Sequence, residues 1–165
     1  MRVLGILALL ATPVAAQDLT FSPGATEACL SGTQDLNGQQ ACIGASAEAC
    51  MNDTPGGHST YGMGGCLSAE ADYWDAQLNA AYGAVIAEAR ATDAEMADIG
   101  GPAVASQEDA LRAMQRAWIA YRDATCDYEY SQWGGGTGGG PAIAACIMRE
   151  TGEQALYLWS SRLGG

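Results

Sequence analysis

Residues 66–90 read CLSAEADYWDAQLNAAYGAVIAEAR. Within them Leu67, Ala71, Trp74, Leu78, Tyr82, Val85 and Ala89 recur at spacings of three and four, which sets them along one side of an α-helix. Gly64-Gly65 before the run and Thr92-Asp93 after it predict a helix from 66 to about 90. A second pattern begins at Ser106-Gln-Glu-Asp109, a Ser-x-x-acid capping box. Leu111, Met114, Trp118, Tyr121, Thr125 and Tyr128 follow it at alternating spacings of three and four. They predict a second helix, with Trp118 and Tyr121 on its core side, ending near Tyr130 where glycines begin.

Pro141, favoured at a first helical position, opens a third pattern carrying Ile143, Cys146, Ile147, Leu156 and Leu158, with Gly152 as an expected break or kink. Shorter helices are expected near 24–30 and 39–51. Residues 53–65 and 133–140 read as glycine-rich connectors, and 91–105 as a spacer. No stretch shows the alternation of a half-buried strand. The fold expected is all-α: a small disulfide-stabilised helical bundle with two long core helices and glycine-rich loops.

The first sixteen residues, MRVLGILALLATPVAA, join a positive Arg2, an apolar run and a small-residue site, Val14-Ala15-Ala16. That order is a secretory signal peptide. A membrane anchor needs about 20 apolar residues, and Thr12-Pro13 interrupts the run first. The expected organisation is a signal peptide over 1–16, cleaved near Ala16, and one helical domain over 17–165, periplasmic or secreted, without a membrane span. Six cysteines in an exported chain imply a disulfide framework. Zinc would need Cys-x-x-Cys spacing or several histidines, and His58 stands alone; no metal or cofactor is expected. Cys42 and Cys50, if on one helix, lie about 12 Å apart and do not bridge each other. Sequence alone leaves the connectivity of Cys29, Cys42, Cys50, Cys66, Cys126 and Cys146 open; local pairing, Cys29–Cys42, Cys50–Cys66 and Cys126–Cys146, is the expectation.

Nineteen acidic residues against seven arginines, with no lysine, give a net charge of −12. Such a surface repels nucleic acid and anionic lipid and attracts cationic proteins, or simply keeps an exported chain soluble. The segment WGGGTGGGP at 133–141 is no phosphate loop, which needs a lysine after its glycines and a strand before them. It is either a loop displayed to a partner or a passive connector. Catalysis finds little support. His58 adjoins Ser59, but neighbours in a glycine-rich loop rarely hold triad geometry. Glu70, Asp72 and Asp75 read as partners for Arg112, Arg116 and Arg122 of the second helix rather than as a glycosidase pair. Asn79 reads as a buried amide fixing register. Arg122 is placed to lie across an aromatic face and reach a carboxylate on a neighbouring helix, with Arg122 and Asp123 as a binding surface in the alternative reading.

The run Cys66-x-x-x-Glu70-x-x-x-Trp74-Asp75-x-x-Leu78-Asn79-x-x-Tyr82, then Gln115-Arg116-x-Trp118-x-x-Tyr121-Arg122-Asp123-x-x-Cys126, resembles the LprI-like lysozyme-inhibitor family. Gly-Gly-Thr-Gly at 135–138, Pro141, Cys146 and Thr151 continue the likeness, which spans roughly 29–158. The resemblance implies a helical, cysteine-bearing envelope domain that inhibits lysozyme, a cationic wall-degrading enzyme. No lipid-attachment cysteine is present, so a lipid anchor does not carry over, and no contact motif transfers residue by residue. The expected function is therefore a non-enzymatic, exported inhibitor of lysozyme-type glycosidases, with an acidic surface and a loop that occludes the cleft. His58, Thr60, Tyr61, Trp133 and Thr137 are its candidate contacts. The alternative is a non-inhibitory periplasmic module for a small ligand or envelope protein. The oligomeric state is left open.

Overall fold

The computed structural model describes residues 18–99 and 105–161; the expected signal peptide lies outside them. The described residues form six helices and no strand: α1 (Gly24–Ser31), α2 (Leu36–Gln40), α3 (Ala45–Asp53), α4 (Thr60–Ile99), α5 (Gln107–Ser131) and α6 (Gly139–Ser161). Helix α4 packs chiefly on α6, α5 lies against both, and α1, α2 and α3 close over α4 and α6. The core is Trp74 and Leu78 of α4 against Met148, Leu156 and Leu158 of α6, with Ala47, Ala71, Ala81 and Ala155 between them. Burying a side chain of the size of Leu158 stabilises by about 1.5–3 kcal/mol, and the alanines let the helices approach closely. None of the described helices is long and apolar enough to cross a membrane.

Three disulfides, Cys29–Cys42, Cys50–Cys66 and Cys126–Cys146, tie α1 to the turn after α2, α3 to α4, and α5 to α6. No cysteine is free.

Several boundaries differ from the sequence expectation. Helix α4 is 40 residues long, running past both predicted ends. At its start, Gly62 lies on the backbone of the preceding loop; a Cβ there would stand 2.6 Å from Gly57 Cα. The glycines near 62–65 serve close packing rather than helix breaking. At its other end Asp93 stays helical. Its carboxylate accepts from Gln107 N (2.8 Å), Glu108 N (3.0 Å) and Ser106 Oγ (2.7 Å), so it caps α5. Those bonds, led by the one from Glu108 N, hold the Asp93 carboxyl below its usual range. Ser106 is the N-cap of α5, accepting from Asp109 N. The single helix expected over 39–51 is two, α2 and α3, separated by a turn at Gly44 with φ of 100°. Helix α6 runs through Gly152 without interruption. A Cβ at Gly152 would meet Ile43 Cδ1 at 2.8 Å and Trp74 Cδ2 at 3.1 Å, so the glycine makes room for the core.

Tyr121 and Tyr128 are 58% and 67% exposed, not core. At 3.6 residues per turn a repeat of alternating threes and fours drifts around the helix. Tyr121 stands roughly 80° off the direction of Leu111, whereas Arg122 stands only about 20° off it. Leu111, Met114 and Trp118 do pack on the core. Asn79 is exposed and donates to Asp75 Oδ2 (2.8 Å); it is not a buried register amide.

Two glycine substitutions test this packing with opposite signs. Gly83 of α4 is exposed, with nothing within 4 Å of an added Cβ. Gly83→Ala is expected to stabilise by about 0.5–1 kcal/mol through helix propensity. Gly62→Ala is expected to destabilise by about 1–3 kcal/mol, because backbone rather than a flexible side chain blocks the methyl. Urea denaturation of both variants checks the pair, and equal signs would contradict it.

Candidate functional site

Glu70 is fully buried and organises the end of the bundle that carries the loops. Its Oε1 accepts from Thr26 Oγ1 (2.8 Å), Gly44 N (2.8 Å) and Trp74 Nε1 (3.1 Å), and its Oε2 from Ala47 N (2.6 Å). One carboxylate thus joins α1, the start of α3 and α4. Thr26 and Ser46 complete the cluster by exchanging backbone-to-hydroxyl bonds of 2.9 and 3.0 Å. A buried carboxylate is tolerable only with donors of this number. The expected pairing with arginines of the second helix is not what forms. Arg112 binds Glu108, and Arg122 binds Asp123, its own neighbour on α5. Arg122 does lie over the Trp118 ring, 5.0 Å from its centroid, and Gln115 accepts from Gln154 Nε2 of α6 (3.1 Å).

On the surface, the two glycine-rich segments meet. Thr60, Tyr61, Gly64, Gly65 and Ser68 of α4 face Thr137, Gly140 and Pro141 across an open cleft of about 590 Å³. Glycines stand on both walls, and Tyr61, which also lines the cleft, is 65% exposed. Two disulfides stiffen it: Cys66 follows Gly65 directly, and Cys126–Cys146 clamps the base of the second loop. That loop is folded on itself. The Trp133 ring lies against Gly138 and the Tyr130 ring against Gly139, where any Cβ would collide with them. Two of its glycines, Gly138 and Gly139, therefore seat aromatic rings, and half of Trp133 remains exposed.

Of the five candidate contacts, Thr60, Tyr61 and Thr137 line this one cleft, and Trp133 packs on the glycine that follows Thr137. His58 does not line it; its Nε2 pairs with Asn52 Oδ1 (3.0 Å). Ser59 Oγ donates to Gly56 O (2.6 Å) and accepts from Gly62 N (3.1 Å), capping α4. It is occupied structurally and forms no pair with His58. Among the described residues no group of acidic, histidine or cysteine side chains is arranged to hold a metal. Sequence reasoning missed Ser68, Gly64, Gly65, Gly140 and Pro141 as cleft residues, and Thr26 and Ser46 as partners of Glu70. For the former, glycines recurring in both segments were the available signal. For the latter there was none, since small hydroxyls in short helices have no periodicity.

Residues 50–158, which carry Glu70, Trp74, the Cys50–Cys66 and Cys126–Cys146 pairs and the α5 stripe, match the family described as Lysozyme inhibitor LprI. The chain belongs to the LprI family. An uncharacterized protein of Rhizobium meliloti (strain 1021) is 36% identical over 94 residues, covering 56% of this chain and 67% of that protein. An uncharacterized 17.7 kDa protein of Rhodobacter capsulatus, in the puhA 5′ region, is 27% identical over 164 residues, 99% of each chain. No solved structure matches significantly. The LprI match begins at Cys50 and ends at Leu158, so it takes in α4, α5, both walls of the cleft and nearly all of α6, and leaves out α1 and α2.

Proposed function

We propose that this LprI-family chain is an exported protein inhibitor of lysozyme-type, cell-wall-degrading glycosidases, and that it engages them through the cleft between its two glycine-rich segments. The observation that carries the reading is the convergence of Tyr61, Thr60 and Thr137 on one braced, open cleft beside the half-exposed Trp133. Exposed aromatics on a rigid frame lose little entropy on binding and make strong anchors. The family description supplies the partner class. The net charge of −12 favours a cationic enzyme and speeds the encounter. The apolar run over 3–11, the small residues before Gln17 and three disulfides support export to an oxidising compartment.

Replacing Tyr61 and Trp133 together with Ala is expected to weaken inhibition by roughly 30-fold or more, an anchor-sized loss, while leaving the far-ultraviolet circular dichroism unchanged. Unchanged inhibition by the folded variant would remove the cleft from the reading. The cleft's volume also suits a small molecule, so a small-ligand module is the second reading. Salt separates the two: binding steered by charge weakens steeply as ionic strength rises, whereas apolar capture barely responds.

A further inference from the structure

Away from that cleft, α4 and α5 enclose a crevice of about 310 Å³ lined by Asn79, Tyr82, Arg112, Gln115, Arg116 and Ile119. Its charge runs against the rest of the molecule. Arg90 and Arg112 both bind Glu108, at 2.9 and 2.7 Å, and these bonds hold the Glu108 carboxyl below its usual range. Arg116 has no ion pair among the described residues. Its neighbours one turn away are Arg112, Ala113, Ile119 and Ala120, none of them acidic. Two guanidinium groups one turn apart repel each other. A chain with 19 acidic residues thus leaves a guanidinium without an ion pair among the described residues in the lining of a crevice.

The polar atoms beside it are complementary. Asn79 donates its amide N–H to Asp75, leaving its Oδ1 as an open acceptor. Gln115 Oε1 is taken by Gln154, leaving its NH₂ as an open donor. An acceptor from α4 and a donor from α5 lining one crevice match the N–H and C=O of one secondary amide. Tyr82 and the 41%-exposed Ile119 add apolar surface. One unpaired guanidinium balances one negative charge, and it matches a carboxylate through two parallel hydrogen bonds. A doubly charged phosphate would leave its second charge unpaired and would meet twice the repulsion from a −12 surface.

We propose that the α4–α5 crevice binds a small N-acylated carboxylate, with Arg116 on the carboxylate and Asn79 and Gln115 on the amide. The C-terminal end of a short peptide and an N-acetylated amino-sugar acid both present this chemistry. The site is distinct from the glycine-lined cleft and stands whether or not the chain inhibits lysozyme.

The test is titration calorimetry on the oxidised chain with two carboxylate probes, N-acetyl-alanyl-alanine and N-acetylmuramate. Each is compared with its uncharged counterpart, the dipeptide amide and N-acetylglucosamine, and with acetate and inorganic phosphate. Binding of either carboxylate probe at least about ten-fold tighter than its counterpart and than the simple anions is expected, a difference of one charge-assisted pair. Arg116→Gln, at an exposed position, is expected to weaken it by a similar factor, and bound probe should shift the side-chain amide resonances of Asn79 and Gln115. Whichever probe binds more tightly identifies the source of the carboxylate. The proposal is overturned if neither probe binds at millimolar concentration, if neutral counterparts or simple anions bind equally well, or if Arg116→Gln binds as the parent does.

Discussion

Glu70→Gln is expected to destabilise the chain by about 2–4 kcal/mol, and Glu70→Ala by about 3–5 kcal/mol. Glutamine keeps the shape of the side chain but has one carbonyl oxygen in place of two acceptors. If that oxygen takes the site shared by Thr26, Gly44 and Trp74, the new NH₂ faces the Ala47 N–H, which approaches Glu70 Oε2 at 2.6 Å. The reverse orientation sets the NH₂ against three donors. Alanine leaves four donors, three of them buried, without this acceptor, and buried donors so orphaned cost roughly 1–3 kcal/mol each before relaxation. Against the 5–15 kcal/mol typical of a whole domain, the loss is large. Guanidinium denaturation checks it through a lowered midpoint with an unchanged slope. A loss below about 1 kcal/mol would contradict the role given to Glu70. Because Thr26 donates to the same oxygen, Thr26→Val and Glu70→Gln should be markedly non-additive.

Removing the Cys50–Cys66 bridge by double substitution to Ala is expected to cost about 3 kcal/mol, from the 16-residue separation it closes and the chain-entropy account of cross-links. Both sulfurs are buried, so alanine adds no polar burden. The bridge joins α3 to α4 beside Gly62 and Gly65, where the preceding loop lies on the helix backbone. Its loss should raise amide exchange over 54–66 ahead of the rest of the chain and loosen one wall of the cleft. The Cys29–Cys42 bridge lies away from the cleft residues. Its removal should lower stability by a similar amount while leaving inhibition by the remaining folded protein intact. Calorimetric melting of both variants, with inhibition measured below their melting temperatures, checks this. Uniform exchange in the Cys50–Cys66 variant, or equal functional loss in both, would contradict it.

Much of the fold was legible because it rests on local periodicity. Trp74 and Leu78 stand at helical spacing and are buried; the Ser106 cap and the Arg122–Trp118 stack also follow from separations of three and four residues. What the sequence withheld depends on segments far apart in the chain. Glu70 looks like any surface carboxylate of an amphipathic helix, since its donors at Thr26, Gly44 and Ala47 lie 23 to 44 positions away. Gly62 read as part of a glycine-rich connector and Gly152 as a break or kink, because spacing alone does not reveal what they pack on, the 56–57 backbone and the Trp74 ring. Tyr121 was misplaced for a different reason. Alternating threes and fours trace a stripe that slips around a straight helix, so its later members leave the face its first ones define.

The cleft shows the same division. Its chemistry was readable as two glycine-rich segments bearing Thr60, Tyr61, Trp133 and Thr137. That they share one site follows only from the packing of α4 on α6, which brings Gly64 within 4.0 Å (counted from an added Cβ) of Pro141 N. The crevice at Arg116 belongs to the same class: each residue was visible, but not that Asn79 and Gln115 hold opposite open valences across it.

The most direct measurement is the turbidity of a bacterial cell-wall suspension during lysis by several lysozyme classes, with and without the oxidised chain over 17–165. Dose-dependent protection against at least one class is expected, lost on reduction of the three disulfides and weakened as salt is raised. Undiminished lysis by every class at all doses, with the chain shown to be folded, would contradict the inhibitor reading.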